Sequence, residues 1–123
     1  MVYIGLNPIE ITSYEYVRPL MNCPRRRIWP REVNELLFQD HHSCCNMNHI
    51  PVLELVERRT GIHVDIDETN RPPRYELRKG DRIILIEVGH IRQLVPGEKY
   101  NREEIRKAVI VFWLYTVTKR LMP

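Results

Sequence analysis

Residues 109–117, Val-Ile-Val-Phe-Trp-Leu-Tyr-Thr-Val, form the longest apolar run in a chain of 123 residues, and Thr116 alone interrupts it. A bilayer-crossing helix needs about 20 apolar residues, so this run is too short to span a membrane and reads as a buried β-strand. A second run, Ile83-Ile84-Leu85-Ile86, is continuously apolar where a half-exposed strand would alternate. Strands of that kind are covered on both faces. The chain must therefore supply helices to pack on a sheet, which points to an α/β architecture.

The remaining elements follow from local signals. Val2 to Leu6 is rich in strand formers and is stopped by Asn7-Pro8. Alternation from Glu10 to Val17 predicts a short second strand or extended segment. Cys23-Pro24 followed by Arg25, Arg26 and Arg27 reads as a turn with three consecutive charges, either solvated or facing phosphate. Pro30 suits a first helical position, with Val33, Leu36 and Leu37 at helical spacing up to Phe38. A second helix begins near Pro51, places Val52, Leu53 and Val56 on one face, and ends at Thr60-Gly61. After Ile62 to Ile66 and the polar stretch Asp67 to Pro73, Tyr75 to Arg78 and Arg82 to Val88 flank Lys79-Gly80-Asp81, the pattern of a β-hairpin. Asn101 with Glu104 three positions on resembles a helix cap, leading into a short helix through Ala108. The expectation is one α/β domain over residues 1–123, with a mixed sheet of roughly five strands and about three short helices.

Hydrophobic residues make up 43% and charged residues 28%, which excludes wholesale disorder. The net charge is +3, with seven basic against seven acidic groups in residues 1–61 and twelve against nine in 62–123. That balance permits an anionic ligand without demanding one. The N-terminal Met-Val-Tyr-Ile-Gly-Leu-Asn-Pro lacks the features of a signal peptide. A cytoplasmic protein without a membrane partner is expected, in the host cytoplasm if the source is a virus. Cys23, Cys44 and Cys45 give an odd count with two neighbours, so reduced thiols are expected rather than a disulfide framework. His41-His42-Ser43-Cys44-Cys45 holds the right donor types for zinc but no spaced second pair, and no metal is expected there.

No P-loop, dinucleotide fingerprint, nucleophile elbow or metalloprotease motif is present. What remains is a set of polar residues at element ends: Asn7, His49, Arg71, Arg92 and Glu98. His49 precedes Val52, Leu53 and Val56 by three, four and seven positions, which sets it at the N-terminal edge of the buried helix face. Free backbone N–H groups and the helix dipole attract phosphate there, and an imidazolium can protonate a departing oxygen. Helix capping or partial burial is the ordinary alternative. Arg71 and Arg92 can grip phosphate in bidentate fashion or merely solubilise the surface. Glu98 can orient a hydroxyl or simply be exposed, and Asn7 can bond a sugar or base or just form its turn.

Four stretches, in order, resemble the small viral anti-CRISPR ring nucleases. They are Val2-Tyr3-Ile4-Gly5-Leu6-Asn7; Asn48-His49 with Gly61 twelve positions after the histidine; Asn70-Arg71 followed by Gly80-Asp81-Arg82-Ile83; and Arg92 before Pro96-Gly97-Glu98. The final strand with Phe112-Trp113-Leu114-Tyr115 also fits. The resemblance implies a homodimer that binds cyclic tetra-adenylate, the second messenger of type III CRISPR defence, across its two-fold axis. It implies a phosphodiesterase with no metal or other cofactor, in which a ribose 2′-hydroxyl attacks the adjacent phosphate. His49 would protonate the 5′-oxygen, Arg92 would stabilise the phosphorane, Glu98 would support the site, and Asn7 and Arg71 would hold the ring. The chain departs from the family pattern at Asn48, at Ile50-Pro51-Val52, and in placing Glu98 after Gly97. The alternative expectation is a non-catalytic dimer that sequesters a cyclic nucleotide, or that binds nucleic acid through Arg25 to Arg27.

Overall fold

A computed structural model describes residues 1–66 and 75–121. The elements run β1 (Val2–Gly5), α1 (Pro8–Ile11), α2 (Tyr14–Met21), β2 (Arg25–Ile28), α3 (Pro30–Leu37), β3 (His41–Ser43), α4 (Ile50–Thr60), β4 (Arg82–Gly89), α5 (Arg102–Lys107) and β5 (Val109–Thr116), with a 3-10 turn at Met47–His49 leading into α4. The strands form one five-stranded mixed sheet in the order β2-β5-β4-β1-β3. β1 is parallel to both β3 and β4, whereas β5 is antiparallel to β4 and β2.

The period-2 geometry of β4 explains the uninterrupted Ile83–Ile86 run. Ile84 and Ile86 join Val2, Ile4, Phe112 and Leu114 on one face, beneath Val33 and Leu36 of α3 and Leu53 and Val56 of α4. Ile83 and Leu85 join Tyr3 and Tyr115 on the other, against Ile11, Leu20, Leu77 and Leu121. Helices thus cover both faces, and the α/β expectation stands. A smaller cluster of Leu55, Ile105 and Ala108 seats α5. Gly61 ends α4 in the left-handed region at φ 79°, where a side chain would add strain. Asn101 and Glu104 form a reciprocal capping box.

Several local expectations are corrected. Glu10 to Val17 is not a strand but parts of α1 and α2, because Asn7 caps a helix that starts with Pro8 and Ser13 begins another. The alternation there does not mark one buried face: Ile11 is buried, but Tyr14 is 81% exposed. Arg25–Arg27 are not a turn; they lie in edge strand β2, paired in register with Tyr115, Leu114 and Trp113. The Lys79-Gly80-Asp81 turn forms, with Asp81 N–H donating to Arg78 O and Asp81 Oδ2 accepting from Arg78 N–H. Its hairpin does not, because both edges of β4 are occupied by β1 and β5. Leu77 bridges to Leu121 instead. Five α-helices, rather than three, lie among the described residues.

Candidate functional site

Parallel strands β3, β1 and β4 end on the same edge of the sheet, where open α/β sheets usually bind ligands. The chain leaves β1 through Leu6 and Asn7, leaves β3 through Cys44, Cys45 and Asn46, and leaves β4 through His90. Two polar groupings collect along this edge.

The first is built on His49. It is the last residue of the 3-10 turn and the N-cap of α4, as its spacing to Val52, Leu53 and Val56 predicts. Its side chain is not spent on capping. Nδ1 is buried and stands 2.9 Å from Glu10 Oε2, off the line of a well-aligned hydrogen bond. Glu10 is itself held from two directions. Leu6 N–H donates to Oε1 at 3.2 Å, and Asn46 Nδ2 donates to Oε2 at 3.3 Å. Asn46 Oδ1 in turn accepts from Asn48 N–H at 2.9 Å, which fixes the turn carrying the histidine. The Glu10 side chain is 12% exposed and that of His49 30%. With Nδ1 turned inward, Nε2 is the nitrogen through which a ligand would meet the ring.

The carboxylate sets the acid strength of this imidazole. Glu10 raises the His49 pKa above the ordinary histidine value, and partial burial opposes the rise without reversing it. A histidine so placed keeps its proton further into neutral pH, the requirement for a general acid. The backbone contributes less than the sequence leads one to expect. Ile50 N–H is taken by Met47 O, and Pro51 has no N–H. The opening turn therefore offers few free backbone donors to an anion.

The second grouping lies in the loop after β4. His90 turns the chain out of the strand at φ 59°, a region that non-glycine residues seldom occupy. Arg92 Nη1 donates to Glu98 Oε1 at 3.1 Å, and its Nε donates to Glu104 Oε2 at 2.5 Å. Val95 N–H donates to the same Glu98 oxygen at 2.8 Å, and Tyr100 Oη donates to Arg92 O at 2.9 Å. Arg92 holds the Glu98 carboxyl below the usual carboxylate range, so Glu98 is a poor base and serves to hold Arg92. Three of the five guanidinium N–H groups remain for an anion. The Arg92 side chain is 48% exposed. Lys99 ties the loop to α4 through Glu54 at 3.7 Å. Among the described residues, no hydrogen bond or ion pair joins Arg92 or Glu98 to His49.

Asn7 lies at the mouth of the first grouping, but its Oδ1 accepts from Ile9 N–H and caps α1. Only its amide NH2 is left for a ligand. Arg71 lies outside the described residues. The His41–Cys45 cluster is spread by its strand. His42 stacks with Tyr3 and Tyr75 at 5.5 and 5.2 Å, while His41 Nδ1 meets Gln39 O at 2.9 Å. Cys44 and Cys45 are buried in opposite cores. Burial, with Glu10 nearby, pushes the Cys45 thiol up to about 12, which disfavours the thiolate a metal would need.

Sequence reasoning missed Glu10 and Asn46. Asn7, Pro8 and Glu10 carry a capping-box pattern with proline at the first helical position, the same signal that identified Asn101 and Glu104. Its carboxylate turns to Leu6 N–H and to His49, a pairing across 39 positions that no local pattern announces. No protein-family model matches the chain, and no curated protein matches it.

Proposed function

We propose that this chain is a metal-independent phosphodiesterase of the ring-nuclease kind, which binds a cyclic oligoadenylate and opens it by transesterification, with His49 as the general acid. The observation that carries the reading is the His49–Glu10 pair: a partly exposed imidazole at the edge where the parallel strands end, with a carboxylate oxygen 2.9 Å from its buried Nδ1 and a raised pKa. The order of motifs from Val2 to Tyr115 supports the substrate class.

In the proposed reaction a ribose 2′-hydroxyl attacks its neighbouring phosphorus, giving up its proton to solvent water, and the bond to the 5′-oxygen breaks. The leaving oxygen takes a proton from His49 Nε2, so the product carries a 2′,3′-cyclic phosphate at one end and a 5′-hydroxyl at the other. Arg92 meets the developing phosphorane charge through its remaining N–H groups, steadied by Glu98 and Glu104. The Asn7 amide and Arg71 hold the ring. A ring of two-fold symmetry suits a homodimer, in which the His49 of one protomer and the Arg92 of the other can share a ligand. Removal of the messenger would silence type III CRISPR signalling in the host cytoplasm.

Purified protein incubated with cyclic tetra-adenylate and EDTA is expected to yield linear products with cyclic-phosphate ends, separable from the ring by chromatography. A ring that is bound yet intact after long incubation would instead identify a sequestering protein.

A further inference from the structure

The three consecutive arginines have no part in the site above, and their setting is specific. β2 is an edge strand, so Arg25 and Arg27 share one face while Arg26 points to the other. Arg26 is neutralised there by Glu32. Arg25 and Arg27 have no carboxylate partner among the described residues. Each lies over a tryptophan: the Arg25 guanidinium carbon is 4.1 Å from the ring centre of Trp113, and that of Arg27 is 4.1 Å from Trp29. Arg25 Nη1 also donates to Tyr115 Oη at 3.3 Å, which fixes the side chain over the sheet. Trp113 Nε1 donates to Glu87 Oε2 at 2.8 Å, so its plane is anchored too. Trp29 is 60% exposed.

We propose that this face, carrying Arg25, Arg27, Trp29 and Trp113, is a binding platform for single-stranded nucleic acid. Guanidinium planes and indole rings are the groups on which unpaired bases stack, and the two free cations supply the backbone contact. Arg25 and Arg27 sit one strand repeat apart, roughly 7 Å, a step comparable to that between successive phosphates of an extended strand. A second copy of the chain fits poorly. A two-fold interface here would bring a cationic face against its own copy, and Glu87 beside the ladder is already bonded to Trp113.

The chain has two tryptophans, and both belong to this face, so intrinsic fluorescence reports on it directly. Titration with oligouridylate or oligothymidylate at low salt is expected to quench tryptophan emission, with a blunt duplex binding much more weakly. RNA and DNA strands run in parallel show which sugar is preferred. Arg25→Ala, Arg27→Ala and Trp29→Ala should each weaken binding roughly tenfold, while Arg26→Ala leaves it unchanged. Each arginine removed from the face should lower the slope of log affinity against log salt by about 0.7. Absence of quenching at low salt would overturn the proposal. So would equal losses in Arg26→Ala and Arg25→Ala, or face variants that dissociate a dimer while oligonucleotide affinity is unchanged.

Discussion

His49→Ala is expected to slow opening of cyclic tetra-adenylate by about 10²–10⁴-fold, the usual contribution of a positioned general acid, while ring binding is retained. Its Nδ1 is buried against Glu10, its backbone already sits at the turn into α4, and no cap depends on the imidazole. Deleting the imidazole therefore removes the proposed proton donor without removing a structural hydrogen bond of the helix start. Glu10 is left without its nearest cationic neighbour, but it keeps Leu6 N–H and Asn46 Nδ2. Single-turnover cleavage beside equilibrium binding of the ring separates the two effects. A variant with unchanged turnover would remove His49 from the chemistry.

Ile84→Ala should be the most damaging kind of change to the fold itself. Ile84 is fully buried in the central strand, paired with Ile4 and Leu114 and covered by the layer of α3 and α4. Truncation at such a site loses transfer free energy and leaves a cavity, at a cost of about 2–5 kcal/mol. For a domain of this size that corresponds to a fall in Tm of roughly 8–20 °C. Phe38→Ala is the control. Phe38 is larger, but it is 91% exposed at the end of α3, and its loss should cost no more than about 0.5 kcal/mol. Thermal unfolding of the two variants followed by circular dichroism tests whether the layers lie as described; equal losses would contradict the arrangement.

The contrast between those two residues also shows what the sequence could convey. A run such as Ile83–Ile86 can be satisfied only by cover on both faces, so the layered architecture, β5, α3, α4 and the α5 cap were all legible from pattern and punctuation. The failures came where local signals competed. Asn7-Pro8 signals the end of a strand, and the same pair also starts a helix, two messages that the local pattern does not separate. Three adjacent charges looked like a loop, although an edge strand tolerates them well because both of its faces reach solvent. The hairpin failed for a non-local reason. A strand between Tyr75 and Arg78 would compete with β1 and β5 for the same edges of β4, and they offer the longer apolar register. At the candidate site, the position of His49 was legible because helical spacing fixes it. The partnership with Glu10 was not, since it depends on how β1 and β3 are aligned. Arg92 and Glu98 were legible as residues, but their pairing with each other and with Glu104 emerges only once the loop is folded.

The His49–Glu10 pair also makes a statement about pH. Because the folded pKa of His49 is raised, the pair's contribution to stability is complete below the ordinary histidine value of about 6.5 and is lost as pH rises through the raised value. The rate of ring opening should follow the same protonation, holding through neutral pH and falling on the alkaline side as the imidazolium is lost. Glu10→Gln removes the charge that raises the pKa while keeping the size of the side chain, so burial alone then acts on His49, and in the opposite direction. The most direct test is the pH dependence of single-turnover cleavage by the wild-type chain and by Glu10→Gln. The expected result is an alkaline limb displaced to lower pH in the variant, with activity recovered as the pH is lowered. A variant whose limb coincides with that of the wild type, or a wild-type rate with no alkaline limb, would contradict His49 as a general acid tuned by Glu10.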